Sequence, residues 1–129
     1  MYADASALVK CVVREPESEA LGEYLAAGEV LLASSRISLV EVRRAIEVAN
    51  PSEEARERAR QLVESCHLVD VTDALLRAAA DLVSPALKTL DAIHLATASS
   101  VEPDEMLVYD KRLREAAAAA GLRVARPGT

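Results

Sequence analysis

The chain has 129 residues, 51% hydrophobic and 28% charged, enough for one globular domain with a real core. Its formal net charge is −6, with 2% aromatic residues and no Trp or Phe, which excludes a basic nucleic-acid coat or an aromatic platform for stacking single strands. No apolar run approaches the roughly 18 residues a membrane span needs, and "MYADASALVK" lacks the basic start of a secretory signal, so the expectation is a cytoplasmic protein with no membrane role.

"MYAD" reads as a first strand stopping at Asp4, followed by a helix over "ASALVKCVV" with Ser6 as a candidate cap. "EPESEALGEYLAAG" reads as a second helix, with Pro16 near its start and Gly28 at its end. "EVLLAS" is predicted as a strand. "SLVEVRRAIEVAN" is predicted as a helix with an apolar stripe of Leu39, Val42, Ala45, Ile46 and Ala49, ended by Pro51. "SEEARERARQLVES" reads as a charged, solvent-facing helix, and "CHLVDV" as the third strand. Thr72 is expected to cap "DALLRAAADLVS", with Pro85 stopping that helix. "TLDAIHLATASS" is a helix apolar nearly all round, and "MLVYD" a strand ending at Asp110. "KRLREAAAAAG" is a helix closed by Gly121, and "LRVAR" a last short strand.

Strands alternating with helices predict an α/β fold, with a mainly parallel sheet covered on both faces. Cys11 and Cys66 show no C-x-x-C spacing and are expected as reduced thiols. In "SCHLVDV" a strand would turn Cys66 and His67 to opposite faces, which argues against a metal pair.

Asp4, Glu41, Asp91 and Asp110 carry the candidate chemistry. Each has a structural explanation as well. Asp4 and Asp110 can cap the helices that follow them, Ser38-x-x-Glu41 matches a capping box, and Asp91 lies in a first helical turn where the macrodipole favours a negative charge. As a set they have a second meaning, because two stand at strand ends, where parallel sheets gather ligands. Carboxylates brought together raise one another's pKa, and a divalent cation removes that conflict. Oxygen ligands alone select a hard ion, Mg²⁺ or Mn²⁺ in its place, and such sites hydrolyse phosphodiesters. His94, one turn after Asp91, suits Zn or Fe better than Mg²⁺ and is read as a satisfied packing histidine. Lys10, Arg14, Arg43, Arg44, Lys111 and Arg112 form either a rim for an RNA backbone or solvated helix faces, Arg44 having Glu41 as an i,i+3 partner. Tyr109 is expected to point into the core.

"MYADASALVKCVVREPES", Glu41 within "ISLVEVRRAI", "LKTLDAIHLATA" and "LVYDKRL" together resemble the PIN domain, in particular the VapC-type toxins of toxin–antitoxin modules. The resemblance spans residues 1–129 as a single domain. It implies a three-layer α/β/α sandwich and a Mg²⁺-dependent ribonuclease, dimeric and neutralised by a cognate VapB-like antitoxin. It also implies that Asp4, Glu41, Asp91 and Asp110 are the catalytic acids, with Asp4, Asp91 and Asp110 on the metal. Ser6 would support the acids by hydrogen bonding, and Ser6, Arg43, Lys111 and Arg112 would meet substrate. Val108 stands where many relatives carry Thr or Ser, and the first strand is about a residue short, which predicts a looser Asp4. A PIN-like module that binds RNA or protein without catalysis is the alternative. An aspartyl phosphotransferase is disfavoured, since D-x-D-x-T is broken by Ser6 and Leu8.

Overall fold

In a computed structural model describing residues 1–28, 30–82, 84 and 86–129, five short strands form one parallel sheet. The elements in chain order are β1 (Tyr2–Ala3), α1 (Ala5–Lys10), α2 (Ser18–Ala26), β2 (Ala33–Ser35), α3 (Ser38–Val48) and α4 (Glu53–Ser65). There follow β3 (His67–Val69), α5 (Asp73–Ala80), α6 (Thr89–Val101), β4 (Met106–Leu107), α7 (Lys111–Ala119) and β5 (Val124–Ala125). The strand order is β3-β2-β1-β4-β5. The chain therefore builds outward on one side of β1, then crosses to the other, and the topological switch point lies between β1 and β4.

Alternation along the strands divides the core into two layers. Tyr2, Met106 and Val108 pack with Leu95 and Ala98 of α6 and Leu113 and Ala117 of α7. Ala3 and Leu107 face the other way, onto Leu8, Leu21, Val42, Ile46 and Val63 of α1 to α4. A third cluster joins Ala79 of α5 to Ile93 and Ala96 of α6. The result is the expected α/β/α sandwich, each fully buried Leu or Ile contributing about 1.5–3 kcal/mol.

Several boundaries differ from the sequence reading, each for a tertiary reason. The strand expected over "EVLLAS" begins at Ala33; Leu31 is 87% exposed, and Glu29 lies outside the described residues. The paired residues are Ala33, Ser34 and Ser35, poor strand formers held by β1 on one side and β3 on the other. The stripe of α3 is Ser38, Val42 and Ile46, a strict i,i+4 row, while Leu39 is 43% exposed and Ala45 and Ala49 face outward. On α4, Ala59 and Val63 are buried, so the helix is not wholly solvent-facing. Its outer face carries Arg56–Glu47 and Arg60–Glu64 ion pairs, which solvent screens. The α5 helix stops at Ala80, four residues early; Val83 and the predicted stop at Pro85 lie outside the described residues.

Caps explain most helix starts. Thr72 accepts from Leu75 N–H, as its spacing predicts, and Ser52 accepts from Ala55 N–H at the start of α4. Gly121, at φ +89°, closes α7 in a Schellman motif: its N–H bonds to the Ala118 carbonyl, and Leu122 N–H to that of Ala117. Cys11 and Cys66 are free thiols, donating to the carbonyls of Ala7 and Leu62. No described helix is long and apolar enough to cross a membrane.

Candidate active site

Because every strand is parallel, each helix that directly follows a strand begins at the same edge of the sheet, the carboxyl edge. The α6 helix, which runs back toward β4, also begins there. The candidate carboxylates all stand at such helix starts. Asp4 is the N-cap of α1, Glu41 and Asp91 are in the first turns of α3 and α6, and Asp110 is the N-cap of α7. Four helix N-termini thus direct their positive ends toward one acidic edge beside the switch point, each favouring a nearby anion by about 0.3–1 kcal/mol.

Asp4 is held most firmly. It is 4% exposed, accepts Ala7 N–H at Oδ1 (3.0 Å), and receives the Ser6 hydroxyl 3.0 Å from each carboxylate oxygen. The short β1 therefore does not loosen it. Ser6 does not cap the helix; Asp4 does, and Ser6 steadies Asp4. Burial pushes the Asp4 carboxyl above the usual carboxylate range, against the bonds from Ala7 and Ser6. Asp91 is half-buried and is also raised, by burial first, then by the charge of Asp110 and further by that of Glu41. Asp91 is the electrostatic hub: it feels Asp110 and Glu41, and Asp4 feels it. Asp110 is exposed, and its Oδ1 accepts Leu113 N–H at 3.0 Å.

The capping box expected at Ser38 and Glu41 does not form. Ile37 occupies the N-cap, and the Ser38 hydroxyl lies 2.7 Å from that of Ser34, which donates to the Ala3 carbonyl at 2.7 Å. Glu41 is left free to reach across the sheet edge. Its Oε1 lies 2.7 Å from His94 Nε2, and His94 Nδ1 lies 2.7 Å from the Tyr2 hydroxyl. Arg44 makes no ion pair with Glu41 among the described residues. His94, 1% exposed, is thus the satisfied packing histidine the sequence suggested. Its link to Tyr2 and Glu41 went unseen, and so did Ser34; the signals were a tyrosine inside a short buried strand and two serines four apart.

The basic rim is only partly present. The Lys10 ammonium is taken up by Glu15 and Glu17 (2.9 and 3.0 Å) and sits 4.9 Å from the centre of the Tyr109 ring. Tyr109 is partly buried, with its hydroxyl donating to the Pro127 carbonyl. Arg43 lines a groove between α3 and α4 with Glu47 and Arg56, away from the acids. Lys111 and Arg112 are exposed in the first turn of α7, immediately after Asp110. Arg14 and Arg44 are exposed. Val108 is fully buried against the α6–α7 layer.

The donor set suits a hard divalent ion. All four acids are oxygen ligands, two are raised by burial and mutual charge, and among the described residues none of Asp4, Asp91 or Asp110 lies within ion-pair distance of Lys or Arg. No three acidic, His or Cys side chains among the described residues stand close enough to enclose an ion together.

Comparison with known proteins agrees with this architecture. The family model described as PIN domain matches residues 1–119. The chain is 40% identical to Ribonuclease VapC46 of Mycobacterium tuberculosis, over 98% of this chain and 97% of that one. It is 39% identical to Ribonuclease VapC35 of the same species, over 99% and 97%. Among solved structures, M. tuberculosis VapC20, a sarcin–ricin loop cleaving toxin, superposes with TM-score 0.77 at 16% identity, covering 98% of both chains. A toxin–antitoxin complex from Klebsiella pneumoniae gives TM-score 0.66 at 21% identity, over 84% of this chain and 85% of that one. The chain belongs to the PIN-domain family and, within it, to the VapC-type ribonuclease toxins.

Proposed function

We propose that residues 1–129 act as one PIN domain, a Mg²⁺-dependent endoribonuclease toxin that hydrolyses RNA phosphodiester bonds in the cytoplasm. The observation that carries this reading is the set of acids at the carboxyl edge, with Asp4 and Asp91 raised by burial and by neighbouring carboxylates. Such a set is costly unless a cation sits among it. Mn²⁺ would substitute. When bound, the ion supplies an activated water and offsets charge developing on the phosphate.

The chain's own residues do the rest. Asp4, Asp91 and Asp110 would hold the ion, directly or through waters, and the Ser6 hydroxyl steadies the Asp4 carboxylate at the start of α1. Glu41 orients the attacking water and accepts its proton; in-line attack forms the new P–O bond and breaks the P–O3′ bond, leaving a 5′-phosphate and a 3′-oxygen that takes a proton from solvent to become the 3′-hydroxyl. Lys111 and Arg112 receive the RNA backbone beside Asp110, and Arg43 meets it from the α3–α4 groove. A cognate VapB-like antitoxin would neutralise the toxin by placing Arg or Lys among the acids, and the active form would be a homodimer. The similarity to VapC relatives and to a toxin–antitoxin complex supports the antitoxin partner.

Cleavage of RNA in Mg²⁺, abolished by EDTA and reduced about 100-fold or more by Asp91→Asn, is the expected result. Equal cleavage in EDTA would sink the reading. One observation favours the alternative, a non-catalytic binding module: no three ligating side chains among the described residues are gathered around one point. Calorimetric titration with Mn²⁺ separates the two, since an inert module would show no binding at millimolar metal.

A further inference from the structure

The Tyr2–His94–Glu41 chain runs from the middle of the core to the acidic edge, and its polarity can be read atom by atom. Glu41 comes from α3, on one side of the sheet; His94 comes from α6, on the other, and Tyr2 from β1 between them. The carboxylate of Glu41 only accepts, so the His94 Nε2 that meets it at 2.7 Å carries hydrogen. A neutral imidazole then has Nδ1 as its acceptor, and the Tyr2 hydroxyl at 2.7 Å is the donor to it. A phenol keeps its proton at neutral pH, so the Tyr2 hydroxyl is able to donate. The Thr97 hydroxyl, one turn along α6, donates to the Ile93 carbonyl at 2.6 Å and lies with the Ser35 backbone beside the Tyr2 hydroxyl.

Neither ring nor phenol is free to move. Tyr2 is 0% exposed and His94 1%, and the two rings meet edge-on with centroids 5.9 Å apart. Glu41 is different. Its side chain keeps 24% of its exposure and has no other ion-pair partner among the described residues. A glutamate on an outward-facing turn samples several rotamers unless something fixes it, and ordering it costs side-chain entropy.

We infer that Tyr2 and His94 are positioning residues that fix the Glu41 carboxylate at the acidic edge, Tyr2 selecting the His94 tautomer and His94 holding the carboxylate by its Nε2–H. This rests on the functional reading for the identity of the group being positioned, but not for the hydrogen-bonded chain itself. It gives the buried histidine of "LDAIHLATA" a role that is neither metal ligation nor simple packing, in the manner of outer partners that orient reactive groups.

The test uses the full chain, with ¹⁵N-labelled histidine and a cleavage assay in parallel. His94 and His67 are told apart with His67→Gln, a substitution at an exposed position. The wild type should show His94 at neutral pH as the Nε2–H tautomer with unprotonated Nδ1, and Tyr2→Phe should shift it to a mixture. Thermal melting checks that Tyr2→Phe, which removes one hydroxyl, remains folded. In Mg²⁺, Tyr2→Phe should lower kcat about 10-fold with KM nearly unchanged, and His94→Gln, whose amide still donates to Glu41, should retain several-fold more activity than His94→Ala. An Nδ1–H tautomer in the wild type, or a Tyr2→Phe variant with unchanged spectrum and kcat, overturns the inference. If Glu41→Gln abolishes cleavage while Tyr2→Phe is fully active, the functional reading stands and the positioning role falls. If the wild type cleaves no RNA, the functional reading falls, and the tautomer with its response to Tyr2→Phe alone decides whether the chain exists.

Discussion

Replacing Asp4 by Asn isolates the electrostatic cost of the site from its structural use. The Asn Oδ1 can still accept Ala7 N–H, so the cap of α1 is preserved, and the amide can face the Ser6 hydroxyl in place of the second carboxylate oxygen. Two effects then oppose each other. Removing a charge from a helix N-terminus costs about 0.3–1 kcal/mol. Relieving a carboxylate that is 4% exposed and faces Asp91 is stabilising, and the raised pKa of Asp4 shows that burial outweighs the bonds it receives. Metal-free Asp4→Asn should therefore melt no lower than the wild type near neutral pH. Asp4→Ala loses the cap as well and should fall below Asp4→Asn by about 1–2 kcal/mol. With Mn²⁺ at roughly ten times its Kd, the wild type should gain about 1.4 kcal/mol and Asp4→Asn much less. Scanning calorimetry of the three proteins in EDTA and in millimolar Mn²⁺ measures both differences. An Asp4→Asn protein as unstable as Asp4→Ala, or one that gains as much from Mn²⁺ as the wild type, would refute the reasoning.

Further outcomes follow from the same structure. Asp91 binds its proton more tightly folded than unfolded, so its contribution to stability is lost as pH rises from near 3.8 through its raised folded value; the wild type minus Asp91→Asn difference in metal-free denaturant midpoint should decline with pH across that window, and a rise would contradict it. Ile46→Ala empties a position 2% exposed beneath α3 and should cost about 2–5 kcal/mol by urea unfolding, whereas Leu39→Ala, on the exposed side of the same helix, should cost under about 1. Gly121→Ala forces a side chain into φ +89° and should lower stability by about 1–2 kcal/mol, although no atom crowds the new Cβ, so the loss reads backbone strain alone.

Local rules served well where the deciding partner is near in sequence. Thr72 and Gly121 act within three to five residues, and both behave as their spacing predicts. The alternation of strands and helices likewise forecast a parallel sheet, because a parallel pair requires a crossover. The rules failed where a distant group competes. Ser38 and Glu41 have the spacing of a capping box, but Ser34 claims the hydroxyl and His94 the carboxylate. The apolar run before Ala33 has strand propensity, yet pairing with Tyr2 and His67 sets the register three residues later.

For the site, the sequence by itself determined which groups are available: four carboxylates, a serine beside the first, and no cysteine or histidine array, hence a hard ion if any. Those choices are chemical, and residue identity fixes them. The tertiary structure alone decided that Asp4, Glu41, Asp91 and Asp110 share an edge, since parallel packing brings four helix N-termini there from residues as much as 106 apart in sequence. It also decided that Glu41 answers to His94 and Tyr2, for a buried histidine must satisfy both nitrogens with whatever the fold brings within about 3 Å.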